Sequence, residues 1–441
     1  MPRRYGFVDA TVPSADLGPI AQYMLPLMLR NVSSSGFVFT DPADPARFSA
    51  PGCIIASPSF ELDLSSVRQN YVFNWVRDAA VAAIEIAEAH QPVWGGGSGP
   101  LIDYVSFAGR CQQNAPTLAR ACFTIEGQPR DWTDQNDGPA LQTLAVMRSY
   151  HQLDTPAQAN AQTVVQRNLD FVMASYQSPG YNLWEETFGQ SFFTRSVQLR
   201  CLSEMRTNDL GFAVPSGVDQ AVDWLTRALQ DHWNGEYYVS ILDAQHPRDG
   251  YDPNIDVVMA SVYGAVTCTD VRLLATAAAL RQQWAEPGSP STYPINAVDA
   301  SSSRGPLLGR YPGDVYDGDD NESGTAHPWA LCTANFAELY YNLAAAVVRD
   351  AHVPYSSESA DFFGQVGVGE QTTPPDTARR LLDAGDAMLQ AVVYHSDHLE
   401  LSEQFDATTG FEKSVRNLTW SYAAFLSAVR ARAAAAGAAS P

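Results

Sequence analysis

Residues 328–351 read PWALCTANFAELYYNLAAAVVRDA, and stretches of this kind decide the fold class. Apolar side chains recur here at spacings of three and four residues, which is the period of an α-helix with a buried face. The same spacing marks seven other clear segments and two weaker ones. The clear segments are 79–90, 139–152, 161–177, 218–233, 271–284, 376–394 and 418–433, and the weaker ones are 17–30 and 192–204.

The remaining sequence connects these predicted helices without dividing them into domains. Loops rich in Gly, Pro, Asp and Ser lie between them, for example at 91–100, 287–294 and 301–323. The stretch Glu236–Ile241 is β-like, but strands do not alternate with helices, which argues against a doubly wound sheet or a TIM barrel. Residues 1–441 are therefore predicted to form a single all-α domain. From about residue 430, the Ala-rich end is predicted to be a fraying helix followed by a tail.

Composition limits the classes of partner. Hydrophobic residues make up 45% of the chain, enough for a large core, and 49 acidic against 27 basic residues give a formal net charge of −22. An acidic surface repels phosphate backbones and anionic lipids, so we expect neither nucleic acid nor membrane as a partner. No apolar run approaches the roughly 20 residues that span a bilayer. A neutral ligand such as a carbohydrate meets no charge penalty.

Residue types that hold metals or form disulfides give weak signals. The six cysteines form no Cys-x-x-Cys pair, which argues against structural zinc. Cys111 and Cys122 are candidates for a local disulfide, with buried thiols as the alternative. The acidic run 317–322 lacks the closing acid of a calcium loop, so a solvated loop is expected. His395 and His398 are expected at the surface. No metal and no cofactor is predicted.

Two distant segments place carboxylates beside aromatic residues. Residues 182–187 read NLWEET, and residues 401–406 read LSEQFD. A carboxyl in apolar surroundings keeps its proton at neutral pH, while a carboxyl in polar surroundings stays ionised. Glycoside hydrolysis uses such a pair. Most acidic side chains only solvate a surface, so the pair needs support from the rest of the chain.

Four further segments supply that support. They read YVFNWVRD at 71–78, WTDQNDGP at 132–139, GRYPGD at 309–314 leading into HPW at 327–329, and RNLTW at 416–420. Sugars present hydroxyl edges and apolar C–H faces, so their sites combine charged hydrogen-bonding groups with aromatic rings. These segments stand mostly where loops meet helices, and they predict a carbohydrate site.

Taken in order, these blocks resemble glycoside hydrolase family fifteen in its fungal, glucoamylase form, over about residues 57–428. The resemblance implies an (α/α)6 barrel of six outer and six inner helices, with the active site in a pocket at one end. It also implies exo-hydrolysis of α-1,4 bonds from non-reducing ends, slower action on α-1,6 bonds, and release of β-glucose. The blocks that carry it are Tyr71, Trp75, Arg77 and Asp78, then 137–141, 183–186, 309–314, 328–333, 402–404 and 416–422.

The resemblance also assigns roles to individual residues. Glu185 is expected to be the general acid and Glu403 the general base, with their carboxyls roughly 6.5–9.5 Å apart to admit a water molecule. Tyr71 is expected against the reacting ring. The other expected substrate-binding residues are Arg77 and Asp78 at the terminal glucose, Glu186, Arg310 and Asp314 at the next sugar, and Trp75, Trp132, Leu183, Trp184, Trp329 and Trp420 around the pocket.

Several points stay open at this level. Trp132 stands one residue closer to Asp137 than is usual in the family, which leaves its position over the acid undecided. The long acidic segment 317–326 is expected to shape the pocket rim. With no starch-binding domain, the enzyme is expected to prefer soluble dextrins over granules.

The alternatives are an α-glucosidase, a trehalase or a dextran-directed hydrolase of the same fold, or a non-catalytic glucan-binding protein. The expected partners are starch-derived oligosaccharides or other α-glucans, and the expected state is a monomer. The family resemblance implies secretion, but no signal peptide is recognisable, so the cytoplasm is the alternative.

Overall fold

The computed structural model describes residues 17–60, 69–89, 99–285, 293–318 and 326–439. Most of this part of the chain is helical. The helices are α1 Leu17–Leu29, α2 Val76–Glu88, α3 Pro100–Asn114, α4 Gly138–Ser149, α5 Thr155–Ser175, α6 Phe192–Arg206, α7 Val218–Gln230, α8 Ile255–Val262, α9 Val271–Ala285, α10 Pro294–Ala300, α11 Ala330–Asp350, α12 Ala360–Gly364, α13 Pro374–His395 and α14 Thr419–Ala439.

The helices form two concentric rings. In the inner ring, α2 packs on α4, α4 on α6, α6 on α8, α8 on α11 and α11 on α14, and α14 packs back on α2 to close the ring. Outer helices α3, α5, α7, α9, α13 and α1 pack against α2, α4, α6, α8, α11 and α14 respectively. Six inner and six outer helices make an (α/α)6 barrel, and the predicted fold class is confirmed.

Burial follows from the sequence of each helix. In α4 every residue except Arg148 is buried, as expected for a helix that is apolar on all sides and packed on all sides. In outer helix α7 the buried residues recur every three or four positions, giving one apolar face. Inner helices therefore hold the barrel centre, and outer helices turn their charged faces to solvent.

Short antiparallel strands pair within the loops that precede inner helices. For example, Trp75 pairs with Cys122 just before α2, and Gln404 pairs with Lys413 before α14. These pairs fix the loop segments that carry the carboxylates. The strands are β1 Thr40–Asp41, β2 Asp44–Phe48, β3 Asn74–Trp75, β4 Cys122–Phe123, β5 Gly180–Tyr181, β6 Phe188–Ser191, β7 Ile241–Gln245, β8 Gln404–Phe405 and β9 Glu412–Lys413.

Some local predictions were wrong. The β-like stretch Glu236–Ile241 is not a strand. Asn234 Oδ1 accepts hydrogen bonds from the backbone N–H groups of Glu236 and Tyr237, both at 2.9 Å, and this turn delays the strand until Ile241. His395 is also not at the surface. It is 1% exposed, and its Nε2 lies 2.8 Å from Asp299 Oδ2.

The C-terminal segment was predicted to be a fraying helix followed by a tail. Helix α14 continues to Ala439, so residues 430–439 are helical, and residues 440–441 lie outside the described residues. Arg430 pairs with Glu85 at 2.5 Å, Arg432 pairs with Asp386 at 2.6 Å, and Ala435 is buried. These contacts hold the end of the helix against the barrel.

The structure bears on the predictions about disulfides, metal sites and membrane-spanning helices. All six cysteines are free thiols, so Cys111 and Cys122 are not bonded to each other. Within the described ranges, no group of three or more potential ligands is placed to hold a metal. No described helix is both long and apolar enough to cross a membrane. Residues 319–325 of the acidic segment lie outside the described residues.

Candidate active site

The predicted carboxylate and aromatic segments meet at one end of the inner ring. Three of them end just before an inner helix: Trp75 precedes α2, Asp137 precedes α4, and Trp329 precedes α11. The loops are joined by backbone hydrogen bonds, such as Ile255 N to Arg310 O at 2.9 Å. This end therefore collects the positive ends of the inner-helix dipoles, which favour negative groups such as carboxylates.

Glu403 is surrounded by hydroxyl donors. Tyr71 donates to its Oε1 at 3.1 Å, Tyr316 donates to its Oε2 at 3.0 Å, and Ser414 also donates to Oε2. The residue is 3% exposed, and burial raises its pKa, while these hydrogen bonds and the charge of Arg310 act in the opposite direction. The hydroxyls stabilise the ionised carboxylate, which is the form that accepts a proton from water.

Glu185 has a different environment. Its Oε2 accepts a hydrogen bond from the indole of Trp132, and Arg77 Nη2 lies 3.5 Å from its Oε1. Burial raises the pKa of Glu185, and the charge of Arg77 and indole hydrogen bonds from Trp132 and Trp75 offset part of that effect. A raised pKa keeps a carboxylic acid protonated over a wider pH range, as general acid catalysis requires.

The backbone of Glu185 is strained. Its φ is +66°, in the left-handed region that non-glycine residues rarely adopt, and its N–H bonds to Asn182 O at 3.0 Å. The side-chain amide oxygen of Asn182 accepts the N–H groups of Glu186 and Thr187, both at 3.2 Å. A tight turn thus holds two neighbouring glutamates in a fixed relation, and strain of this kind concentrates at functional sites.

A row of aromatic rings connects the two carboxylates. Tyr71, which bonds to Glu403, has its ring centroid 5.4 Å from that of Trp75. Trp75 in turn meets Trp132 edge to face at 6.0 Å, and Trp132 bonds to Glu185. The open question about Trp132 has a structural answer: its indole lies on the Glu185 carboxyl. Trp132 remains 37% exposed, although the Arg130 guanidinium lies 4.1 Å from its ring centroid.

Arg77 and Asp78 lie in the first turn of α2 and are both buried. Arg77 Nη1 donates to Asp137 Oδ2 at 3.0 Å and to Gln135 Oε1 at 2.9 Å, and its guanidinium lies 5.3 Å from the Trp420 ring centroid. Burial raises the pKa of Asp78 to about 7, against the lowering effect of Arg77. Arg77 is thus held rigidly beside Glu185.

A second charged cluster surrounds Arg310. Its Nε and Nη2 form a forked pair with Asp314 at 2.8 and 2.6 Å, and Nη2 also reaches Glu186 Oε1 at 2.9 Å. Tyr311 donates to Glu186 Oε2 at 2.7 Å, and Arg248 lies 3.4 Å from Oε1. Three groups hold the Glu186 carboxylate in place, and its oxygens can accept hydrogen bonds from sugar hydroxyls.

The other predicted pocket residues are buried around these clusters. Trp184 donates to Asn254 Oδ1 at 3.0 Å, and its ring lies 5.6 Å from that of Trp329. Both rings lie near the Arg310 guanidinium, at 5.2 and 5.0 Å. Trp420 donates to the hydroxyl of Tyr263 at 3.0 Å. Leu183 is 2% exposed and belongs to the hydrophobic core.

Comparison with known proteins decides the family. Residues 122–430 match the family model described as Glycosyl hydrolases family 15. The chain belongs to this family. Glucoamylase P of Amorphotheca resinae is 32% identical over 327 residues, which is 68% of this chain and 50% of that protein. A probable glucoamylase of Schizosaccharomyces pombe is 28% identical over 437 residues, covering 93% of this chain and 90% of that protein.

Solved structures support the same fold. A glycoside hydrolase family 15 glucoamylase from Hypocrea jecorina matches with a TM-score of 0.79 at 23% identity, over 97% of this chain and 75% of that chain. A glucoamylase from Saccharomycopsis fibuligera matches with a TM-score of 0.78 at 22% identity, over 98% and 99%. Family 15 members are glycoside hydrolases, and this chain is a glycosidase of the family.

Several residues of this family 15 site were missed from the sequence. Tyr316 and Ser414 donate to Glu403, and Asp137 accepts a hydrogen bond from Arg77. Tyr311 donates to Glu186, and Arg248 forms an ion pair with it. Asp137 and Tyr311 stand inside blocks quoted for the resemblance, so their proximity to assigned residues was a usable signal. Tyr316, Ser414 and Arg248 stand outside those blocks and are brought in by tertiary contacts.

Proposed function

We propose that this family 15 glycosidase is a glucoamylase. It releases β-D-glucose from the non-reducing ends of α-1,4-glucans and maltooligosaccharides, with inversion, and acts more slowly on α-1,6 bonds. The observation that carries the proposal is the contrast between two carboxyls. Glu403 faces three hydroxyl donors, whereas Glu185 faces indole N–H groups and Arg77.

The proposed reaction uses one carboxyl for each proton transfer. Glu185 gives its proton to the glycosidic oxygen as the bond to the anomeric carbon breaks. Glu403 takes a proton from the water that attacks the anomeric carbon from the opposite face. The new C–O bond therefore has inverted configuration. Tyr71 is proposed to lie against the reacting ring, because its hydroxyl already bonds to Glu403.

The substrate contacts follow from the two charged clusters. Arg77 and Asp78 are proposed to bind hydroxyls of the terminal glucose, which would block longer chains and make the enzyme exo-acting. Glu186 and Arg310 are proposed to bind the next sugar, with Asp314 holding Arg310 in place. Aromatic faces near both clusters would cover the C–H faces of the sugars. They belong to Trp75, Trp132, Trp184, Trp329 and Trp420, next to buried Leu183.

The direct test is the size and anomer of the first product from maltoheptaose. Proton NMR during the first minutes should show free β-glucose together with maltohexaose. First products of two to five glucose units, from maltose to maltopentaose, would contradict exo-release of glucose, and initial α-glucose would contradict inversion. No product at all, with binding retained, would favour a non-catalytic glucan-binding protein.

A substrate panel separates the same-fold alternatives. Rates on maltose, maltoheptaose, isomaltose and trehalose should rank maltoheptaose first and isomaltose well below maltose. A preference for trehalose or for isomaltose-type links would assign the chain to a trehalase or a dextran-directed hydrolase. A preference for maltose over maltoheptaose would indicate an α-glucosidase.

A further inference from the structure

A cavity of about 320 Å³, partly open to solvent, lies between the inner helices and away from the catalytic loops. All six inner helices line it, each at a position roughly seven to ten residues after its first residue, or about 10–15 Å along the helix. Each inner helix contributes at least one lining residue, and examples in chain order are Glu85, Arg148, Arg200, Val262, Glu338 and Ser427. The cavity is therefore on the barrel axis and separate from the catalytic carboxylates.

The charged groups around this axial cavity are balanced. Its lining includes three glutamates and three arginines, and each arginine has a carboxylate partner. Arg430 pairs with Glu85 at 2.5 Å, and Arg148 and Arg200 both pair with Glu204 at 2.9 Å. The three arginines are already paired and the lining carries no net formal charge, so it offers no excess charge to an ionic ligand and favours a neutral one.

Glu338 provides an open hydrogen-bonding position in the axial cavity. It is 6% exposed, and Ser427 donates to its Oε1 at 2.9 Å. Its Oε2 is buried and has no hydrogen-bond partner among the described residues. Burial, reinforced by the charge of Glu85, raises the pKa of Glu338 to about 7, so the group both donates and accepts near neutrality. A hydroxyl group can serve either state.

The remaining lining has the character of a sugar site. Val81, Ile84 and Leu144 supply an apolar wall, and Asn342 adds an amide. The volume is at the lower end of the range of small-molecule pockets, which is about 300–1,000 Å³. We propose that the axial cavity binds one neutral polyhydroxylated ring of monosaccharide size, for which D-glucose is the probe.

The axial cavity lies one side chain away from the catalytic end. Tyr263 lines it, and the Tyr263 hydroxyl accepts the indole hydrogen bond of Trp420, whose ring lies beside Arg77. Glucose bound among the catalytic residues would therefore change signals near Tyr263. A test of the cavity needs a reporter on its far wall.

Methyl groups on the apolar wall give that local reporter. Methyl NMR spectra of the full chain, labelled at Ile, Leu and Val, should show saturable shifts of Ile84 and Leu144 when D-glucose is added. A ligand of this size should bind with a dissociation constant on the order of 1 mM. Myo-inositol should move the same signals, and ammonium and acetate at matched ionic strength should not.

Two variants decide whether these shifts come from the axial cavity. Asn342→Phe fills it from a half-buried position, and Glu338→Leu removes the open carboxyl. In each variant the dissociation constant for D-glucose, measured from the Ile84 shift, should rise by about tenfold or more. In Glu338→Gln it should stay at the native value. Thermal unfolding and glucose release from maltoheptaose check that each variant is folded.

Unmoved Ile84 and Leu144 signals in the native protein would overturn the proposal, as would equal shifts in Asn342→Phe. Shifts with ammonium or acetate alone would overturn the assignment to a neutral ligand. The proposed catalytic function fails by a different result, the absence of glucose release, so the two outcomes are distinguishable.

Discussion

Ser414 donates its hydroxyl proton to Glu403 Oε2, the oxygen that also accepts a hydrogen bond from Tyr316. This bond opposes the effect of burial on the pKa of Glu403. Ser414 has a φ of +66°, which glycine adopts without strain, so Ser414→Gly removes the hydroxyl at little structural cost. The pKa of Glu403 should therefore rise in this variant, moving the acidic limb of kcat/KM to higher pH.

The measurement is a pH profile of kcat/KM on maltoheptaose. A general base must be ionised, so raising its pKa removes activity at low pH and leaves the basic limb in place. Tyr316→Phe removes another donor from the same oxygen and should shift the same limb in the same direction. Movement of the basic limb alone would show that Glu403 is not the base.

Trp132→Phe makes the matching change at the proposed acid. Phenylalanine keeps an aromatic ring but removes the N–H that bonds to Glu185, a bond that lowers the pKa of that carboxyl. The pKa of Glu185 should therefore rise, and the basic limb of kcat/KM should extend to higher pH. Trp132 is partly exposed, so unfolding temperature should change little. A shift of the acidic limb would reverse the assignment of acid and base.

Glutamine substitutions separate the two roles by substrate. Glu185→Gln and Glu403→Gln should each lower kcat on maltoheptaose by roughly 10²–10⁴-fold. A substrate with an activated leaving group, such as α-D-glucosyl fluoride, needs no general acid. It should restore much of the rate to Glu185→Gln and little to Glu403→Gln. Equal restoration in both variants would contradict the proposed division of labour.

Helical periodicity predicted most of the long helices, but α3, which has 15 residues, was missed. Helices α11 and α13 repeat apolar residues over many turns, and their predicted bounds lie within a few residues of the observed ones. Helix α8 was missed because its eight residues, IDVVMASV, are too few to show a period. The strand near Glu236 was misplaced because the Asn234 turn competes locally with strand pairing.

The main residues of the candidate site could be predicted from the sequence, but many of the contacts between them could not. Motif spacing named Glu185, Glu403 and Arg310, because the same side chains recur in a family pattern. It gave no partner for Arg77, since Asp137 is 60 residues away in the chain. Ser414 and similar hydroxyl donors carry no sequence signature, because serines are common on loops and this one acts through a β8–β9 contact.

Asp314→Asn tests the buried pair that holds Arg310. Asp314 is 3% exposed and takes two hydrogen bonds from the guanidinium, so the variant leaves a buried cation short of one carboxylate. The free energy of unfolding should fall by about 3 kcal/mol, measured by denaturant titration. Asp350→Asn breaks the exposed pair with Arg349 and should leave stability unchanged. Equal small effects in both variants would contradict a structural role for Asp314.

Stability should fall as pH rises from 3.8 to about 7, because a buried carboxyl in the folded chain holds a proton that the unfolded chain releases. Burial raises the pKa of Asp256 to about 7 from an ordinary value of 3.8. Between these values the folded state binds more protons, so the free energy of unfolding decreases with increasing pH. Asp256→Asn removes this dependence and keeps an acceptor for Ser240.

The variant should be more stable than the native protein at pH 8 and similar to it at pH 4, in urea titrations at both values. The gain scales with the pKa difference at about 1.4 kcal/mol per unit. Asp376→Asn is a suitable control, because Asp376 is exposed and its pKa is lowered, so that variant should gain nothing at pH 8. The opposite result is an Asp256→Asn variant that loses as much stability between pH 4 and pH 8 as the native protein does. That result would show that Asp256 is ionised in the folded state.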